Sequence, residues 1–288
     1  MSHNNKVRII IDSTADVAPE LRSRFTVLPL VLRFGDEEYL DGVTITSEQF
    51  YEKLVESDVM PTTSQATPFA FARLFREAVD AGVDVVALTI SSGLSGTWQS
   101  AVMAAEEFPG RVYVVDSLNV TLGSGILAEY ALRLADDGLS AAEIAETLTR
   151  ERENVHLIAL VNTLEYLKRG GRVSKTAAIA GELLSIKPVI AVRGTLGEVE
   201  ILGKARGPRQ ANNLLVKEIE NAGGVDFTRP VMLGYTGLSD QMLEKYIHDS
   251  AAMWEGHADA LRSTIIGSVI GTHAGPGAVA VAFFSQQH

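Results

Sequence analysis

The chain has 288 residues, a formal net charge of −11 and no cysteine, and 46% of its residues are hydrophobic. The acidic balance opposes binding to nucleic acids and anionic membrane surfaces, and the missing cysteine excludes disulfides, thiolate catalysis and cysteine-based zinc sites. No stretch approaches the ~20 apolar residues of a membrane helix. The polar start MSHNNKV lacks the apolar region of a signal peptide, so we expect a soluble, cytoplasmic protein without stable membrane insertion.

Short apolar strands alternate with helical patterns through the first half of the chain, which is typical of a parallel-sheet α/β architecture. The predicted strands span residues 7–11, 27–32, 83–90 and 112–115. The predicted helices span residues 68–81, 97–107, 124–135 and 141–152. The last of these has Ser140 as its N-cap and Glu143 three residues later, which together predict a capping box.

The pattern changes near residue 153, where hairpin-like strand pairs appear. We predict a strand at 156–161, two short helices, and two strands in segment 186–207 joined by a turn at 194–197. A helix at 209–221, a strand at 231–235, a helix at 239–254 and a strand pair at 264–270 and 278–284 complete the chain. This antiparallel content predicts two domains, an α/β domain over 1–153 and an α+β domain over 154–288.

The loop SSGLSGT, residues 91–97, is the clearest candidate for binding chemistry. It follows a buried strand and opens a helix, and ligands bind at such carboxyl ends of strands. Its hydroxyls and the free N–H groups at the helix start favour an anion, while Gly93 and Gly96 allow close approach. The alternative is a Ser/Thr-rich helix cap that binds only water.

Three enzyme or nucleotide motifs match the chain only in part. The nucleophile elbow G-x-S-x-G is incomplete around Ser95. Gly96 occupies the position where any residue is allowed, but Thr97 stands where the last glycine is required. The chain order Ser95, Asp116, His273 nevertheless matches that of an α/β-hydrolase triad, which keeps a serine hydrolase open. A G-x-G-x-x-A match at residues 123–128 does not follow its strand directly, and the segment GGRVSKT lacks the glycine that a P-loop requires before its lysine.

Four further polar segments are candidates for ligand contact. PTTSQATP, residues 61–68, places hydroxyls before a helix, and GTHAGPGAV, residues 271–279, sets His273 among glycines. YLKRGGRVSK, residues 166–175, and KARG, with Arg206, carry positive charge beside glycine and suit an oxyanion or phosphate. Each also has a purely structural interpretation, which is a helix cap for the first, an incidental loop histidine for the second and a solvated helix end for the two basic segments.

Together these segments resemble the DegV family over essentially the whole chain. The matching segments occur in the family's order and approximate spacing, and they are IIIDSTAD, VLPLVL, TTSQATP, SSGLSGTWQSA, VVDS, YLKRGGRVSK, IKPVIAV, KARG and GTHAGPGAV. The resemblance implies a protein that clasps one long-chain fatty acid between its two domains. It also implies, for some members, presentation of that acid to a fatty acid kinase, which makes an acyl phosphate for bacterial phospholipid synthesis.

The resemblance implies roles for individual residues. Thr63, Ser95 and His273 would bind the carboxylate, and the surrounding Ser64, Gly96, Thr97 and Thr272 would complete the ligand site. Arg172 and Arg206 would serve the kinase step or contact phosphate. Two positions depart from the family pattern without touching this polar set, Ala66 in place of a frequent proline and Trp98 in place of a common tyrosine.

We therefore expect a lipid-binding carrier with no enzymatic activity of its own, whose partners are a long-chain fatty acid and a fatty acid kinase. We expect no cofactor and no metal. Two alternatives stay open, a serine hydrolase or esterase using Ser95 and His273, and a lipid-sensing regulatory protein.

Overall fold

The computed structural model describes residues 7–173, 186–258 and 261–286. The strands are β1 Val7–Asp12, β2 Thr26–Leu28, β3 Val31–Phe34, β4 Glu37–Leu40, β5 Thr62–Ser64, β6 Asp84–Thr89, β7 Val112–Asp116, β8 Val155–Leu160, β9 Ile186–Arg193, β10 Glu198–Arg206, β11 Met232–Tyr235, β12 Ser263–Ile265 and β13 Val279–Phe284. The α-helices are α1 Ser47–Glu56, α2 Pro68–Asp80, α3 Thr97–Ala105, α4 Thr121–Asp136, α5 Ala141–Glu151, α6 Glu165–Arg169, α7 Gly207–Asn221, α8 Gln241–Asp249 and α9 Ser268–Ala274. Short 3₁₀-helices span Pro19–Arg24, Arg152–Asn154 and Ala251–Trp254.

The first sheet has the strand order β2-β1-β6-β7, and all its pairs are parallel. Every residue of β6, DVVALT, is buried, as expected of a parallel strand covered by helices on both faces. Ile10 of β1 packs with α2 and α3 on one face, whereas Ile9 and Ile11 pack with α4 and α5 on the other. The predicted parallel α/β half is thereby confirmed.

The second sheet has the order β10-β9-β8-β13-β11-β12 and is antiparallel except for the pair β11 and β12. Side chains alternate between its two faces. Ile158 and Leu160 of β8 pack with α7 on one face, while Leu157 faces the core around α4 on the other. Helix α4 therefore lies between the two sheets, and one apolar core contains residues from both halves of the chain.

A small antiparallel sheet of order β4-β3-β5 lies beside these layers. Helix α1 packs against it through Phe50 and Tyr51, which share a buried cluster with Leu32. Because β5 carries Thr63 and pairs with β3, this sheet determines where the TSQ segment is presented. Neither β4, β5 nor α1 was predicted, although Thr46 and Gln49 form a capping box that marks the start of α1.

Three predicted elements were wrong in part. The strand at 27–32 is two strands in different sheets, separated at Pro29, which has no amide hydrogen for a ladder. The strand at 264–270 ends at Ile265 and gives way to α9, and the helix at 239–254 divides into α8 and a 3₁₀-helix. The second short helix predicted after residue 161 lies outside the described residues.

Within the described ranges, no helix combines the length and apolar character that crossing a membrane requires.

Candidate functional site

A cavity lies between the first and second sheets. It is located at the N-terminal end of α4, near the carboxyl ends of the parallel strands. It offers about 260 Å³ to the centre of a water-sized sphere, far more than the ~10–15 Å³ that one water needs. Its lining residues are Leu30, Thr63, Ser64, Gln65, Ile90, Leu94, Ser95, Gly96, Val120, Thr121, Leu157, Ala159, Val161, Leu167, Arg172, Ile190, Ala191, Val192, Val199, Ile266, Val269, Ile270, His273, Ala274, Ala278 and Ala280. Most are apolar, and the polar ones come largely from the predicted loops.

The structure brings six of the nine predicted site residues to this cavity from segments far apart in sequence. Strand β5 supplies two, the loop after β6 supplies two, the turn after α6 supplies one and α9 supplies the last; they are Thr63, Ser64, Ser95, Gly96, Arg172 and His273. The loop with Ser95 and Gly96 reaches the cavity because it follows the carboxyl end of β6, and the other segments are brought to that end by the small sheet and by helices α6 and α9.

Thr63 and His273 face each other across the cavity wall, with 3.0 Å between Thr63 Oγ1 and His273 Nε2. The other ring nitrogen, Nδ1, is buried and has no hydrogen-bond partner within the described residues. It lies against Gly170, where a side-chain Cβ would overlap the ring. This arrangement favours the tautomer in which Nε2–H donates to Thr63, which frees the threonine hydroxyl hydrogen to point at a ligand.

Burial, and to a smaller extent the positive charge of Arg172, together lower the pKa of His273 to about 4. The imidazole is therefore neutral at neutral pH in the empty cavity. The guanidinium of Arg172 is held at the cavity edge by two carbonyl oxygens, since Nη1 donates to Gly170 over 2.6 Å and Nε to Leu94 over 3.3 Å. A bound anion would meet neutral hydroxyl donors and one nearby positive charge.

Thr97 supports the site from behind, because it does not line the cavity and is completely buried. Its Oγ1 lies 2.9 Å from Ser95 Oγ and accepts a hydrogen bond from the Ala66 N–H over 3.2 Å. Gly96 sits so close to Gln65 that a Cβ would overlap the amide. Thr97 and Gly96 therefore join the SSGLSGT loop to the TSQ segment.

Two other predicted residues do not line the cavity. Thr272 is buried within α9, and its Oγ1 donates to the carbonyl oxygen of Ser268 over 3.0 Å. Arg206 is exposed at the start of α7, where its backbone N–H donates to Gln210 Oε1 over 3.3 Å. The predicted roles of these two residues stay predictions.

The hydrolase candidates Ser95, Asp116 and His273 do not form a triad. His273 Nε2 faces Thr63, and Ser95 Oγ faces Thr97. The carboxylate of Asp116 accepts hydrogen bonds from the backbone N–H groups of Ser92 and Leu118. Since a triad needs the histidine between the serine and the acid, this geometry disfavours nucleophilic catalysis by Ser95.

The apolar wall residues are not among the site residues predicted from the sequence, which predicts only the strands that carry them. One face of β8 supplies Leu157, Ala159 and Val161, and β13 with the residue before it supplies Ala278 and Ala280. Ala159 is only half-buried although β8 lies in the middle of its sheet, because its outer face opens into the cavity. Alanines at cavity-facing strand positions leave the space that larger residues would fill, and they are the sequence signal for this wall.

The β9–β10 turn connects the two halves across the cavity rim. Ser91 Oγ contacts the carbonyl oxygens of Leu196 and Gly197 at 2.6 and 2.8 Å, and Gly93 N–H donates to Leu196 over 3.0 Å. A Cβ at Gly93 or Gly197 would overlap this contact, so both glycines are needed for the close approach.

Comparisons with known proteins agree with this architecture. A family model described as the DegV family of uncharacterised proteins matches residues 6–286. A DegV domain-containing protein of Deinococcus radiodurans is 36% identical over 282 residues, covering 96% of this chain and 97% of that protein. A second such protein, from Caldanaerobacter subterraneus, is 34% identical over 283 residues, covering 96% and 98%.

Two solved structures are also similar. A DegV family protein from Thermus thermophilus, described by its fatty acid binding, superposes with a TM-score of 0.86 at 34% identity, covering 98% of this chain and 100% of that one. A stearic acid-binding protein from Eubacterium ventriosum superposes with a TM-score of 0.83 at 27% identity, covering 96% and 97%.

Proposed function

The chain belongs to the DegV family, and on that premise we propose that it binds a long-chain fatty acid in the cavity between its two sheets. The observation that carries the proposal is the division of one cavity lining between a group of polar side chains, among them Thr63, Ser95 and His273, and a larger number of apolar ones. The fatty acids described for its structural relatives have the same division, a carboxylate and an acyl chain.

The acyl chain would supply most of the affinity. Each methylene removed from water contributes ~0.8 kcal/mol, so some fourteen methylenes contribute on the order of 10 kcal/mol before the cost of immobilising the chain. The walls suit this role, since the lining residues of β8, β9, β13 and α9 are apolar apart from His273.

The polar end would determine which end of the ligand enters and where it stops. Thr63, Ser64 and Ser95 offer hydroxyl donors, and neutral His273 orients the first of them. Hydrogen bonds to a charged acceptor contribute about 1.5–3 kcal/mol each, which is small beside the tail but specific for a carboxylate. Thr97 and Gly96 contribute by holding the two hydroxyl-bearing loops together.

We further propose that the protein presents the bound acid to a fatty acid kinase. Neutral hydroxyl donors neutralise a carboxylate less completely than a buried pair of arginines would, which leaves it reactive toward a phosphate donor. Arg172 at the cavity edge and exposed Arg206 would act in that step. We also propose that residues 1–153 and 154–288 form two domains, with the ligand between them.

Native mass spectrometry of the purified protein, followed by lipid extraction, tests the binding proposal. We expect one fatty acid per chain, and finding none after incubation with oleate or stearate would overturn the binding proposal.

The carrier role is tested by acyl-phosphate formation with ATP and a fatty acid kinase. Arg206→Ala should bind fatty acid normally but lose phosphorylation, whereas the control Arg209→Ala, exposed and three residues away, should retain both.

A further inference from the structure

Asp16 is a buried carboxylate that touches the cavity walls without lining the cavity. It belongs to the IIIDSTAD segment, in the loop between β1 and the first 3₁₀-helix. Asp16 is not one of the proposed ligand contacts. It nevertheless contacts two elements that line the cavity.

The side chain of Asp16 joins those two elements. Oδ1 accepts a hydrogen bond of 3.0 Å from the backbone N–H of Gly267, the residue before α9. Oδ2 accepts from the hydroxyl of Thr121, the first residue of α4. The backbone adds a third link, since Asp16 N–H donates to the Thr121 carbonyl over 3.2 Å.

Both partners need support from outside their own helices. Gly267 provides no side chain to cap α9, and a buried N–H at a helix start needs an acceptor. Thr121 has a φ of 47°, a left-handed conformation that a β-branched residue adopts only under constraint. The backbone at Asp16 also presses on α4, because a Cβ at Gly125 would overlap the Asp16 carbonyl.

The two joined elements form a large part of the site. Helix α9 contributes Val269, Ile270 and His273 to the cavity, and the start of α4 contributes Val120 and Thr121. The separation of α9 from α4 therefore sets both the width of the apolar channel and the place of the imidazole relative to Thr63.

We propose that Asp16 is a positioning residue for the fatty-acid site, because its two carboxylate oxygens hold the start of α9 at a fixed distance from the start of α4. The ligand-affinity part of this inference rests on the proposed function, whereas the placement of His273 does not. The charged and titratable groups that face Asp16 are Asp41, Arg22 and Tyr51. The carboxylate of Asp41 also interacts with Ser268 at the start of α9, whereas that of Asp16 is bonded to both Gly267 and Thr121.

Asp16→Ala and Asp16→Asn separate positioning from charge. Alanine removes both hydrogen bonds, so we expect the affinity for a fluorescent fatty acid to fall about tenfold. Asparagine keeps both links, because its oxygen accepts from Gly267 and its amide donates to the Thr121 hydroxyl, so we expect affinity within about twofold of wild type. Wild-type affinity in the alanine variant, or equal loss in both variants, would overturn the proposal.

A second measurement does not need a ligand. In delipidated protein, NMR titration of the imidazole, assigned with His273→Gln, should show the low pKa of His273 in wild type and in Asp16→Asn. It should rise toward the ordinary value of about 6.5 in Asp16→Ala as α9 moves and the ring gains water. An unchanged His273 pKa in Asp16→Ala would contradict the proposal, whereas failure of the wild type to bind fatty acid would contradict only the proposed function.

Asp84→Ala is the matched control. Asp84 is also buried and is paired with Arg111, but it lies at the first residue of β6, the opposite end of the strand from the cavity. We expect this variant to lose stability while its affinity for fatty acid and its His273 titration match those of wild type.

If Asp16→Ala does not fold, Asp16→Ser is used in its place, since a serine hydroxyl is too short to reach both Gly267 and Thr121. It should weaken binding severalfold, and wild-type binding by it would overturn the proposal.

Discussion

Replacing Ala159 by leucine tests whether the wall of β8 sets the length of the acyl chain. Ala159 lies at the centre of the second sheet, paired with Ala280 on one side and Ile190 on the other, and all three line the cavity. Leucine adds three carbon atoms at this point. Because the side chain projects into open space, we expect it to occupy room that the tail would otherwise fill.

The expected magnitude follows from the displaced methylenes. If three methylenes of the longest accepted acid are pushed into water, the loss is about 2.4 kcal/mol, or roughly 50-fold in affinity. An acid three carbons shorter should bind Ala159→Leu as it binds wild type. The preference between the two acids should therefore shift by the same factor toward the shorter one.

Competition between stearate and a shorter saturated acid, followed by lipid extraction and mass spectrometry, measures this shift. Ala282→Leu is the control, because Ala282 lies two residues beyond Ala280 on β13, buried in the core beside α4 and not on the cavity. Overpacking there should reduce the free energy of unfolding by about 1–3 kcal/mol without changing chain-length preference. Equal weakening of all acids by Ala159→Leu, or no weakening, would refute the role of this wall.

Three further predictions concern the polar end and the buried acid. Thr63→Val removes the hydroxyl opposite His273, so fatty-acid affinity measured by titration should fall about 10–150-fold; an unchanged affinity would contradict its contact with the carboxylate. Gly170→Ala places a Cβ against the His273 ring and should also weaken binding, whereas Gly171→Ala meets no neighbouring atom, despite its positive φ, and should cost only stability. Burial raises the pKa of Asp16 to about 7, above its unfolded value near 3.9, so its contribution to stability is present at low pH and is lost as pH rises toward 7. Between pH 5 and pH 8 this loss amounts to roughly 2–3 kcal/mol, and denaturant unfolding of Asp16→Asn should lack it; the same pH dependence in that variant would refute the assignment.

Much of the fold could be predicted from local patterns. The helices at α2, α3 and α5 and the strands β1, β6 and β7 appear within a few residues of their predicted bounds, because apolar periodicity, capping residues and glycine punctuation act over short distances. The capping box at Ser140 and Glu143 is present as expected. The failures fall where long-range pairing decides, as in the division of residues 27–34 between two sheets at Pro29.

Packing also explains one glycine pattern that resembled a motif. Gly123 and Gly125 lie within α4, where a Cβ would overlap Asn119 at the first position and Asp16 at the second. They allow α4 to approach its neighbouring loops closely. Their spacing therefore reflects helix packing and not a dinucleotide site.

The sequence by itself determined which loops carry polar chemistry, since a hydroxyl-rich loop between a buried strand and a helix is a local feature, and the family resemblance rests on such segments. The resemblance groups Thr63, Ser95 and His273 at one carboxylate, and the structure places all three at one cavity. Only the tertiary structure decided that Thr97 lies behind this cavity and that Thr272 bonds to its own helix. It also decided that one face of β8 and β13 is a cavity wall. The direction of a side chain and the space before it depend on which distant strands and helices pack together, and no local pattern contains that information.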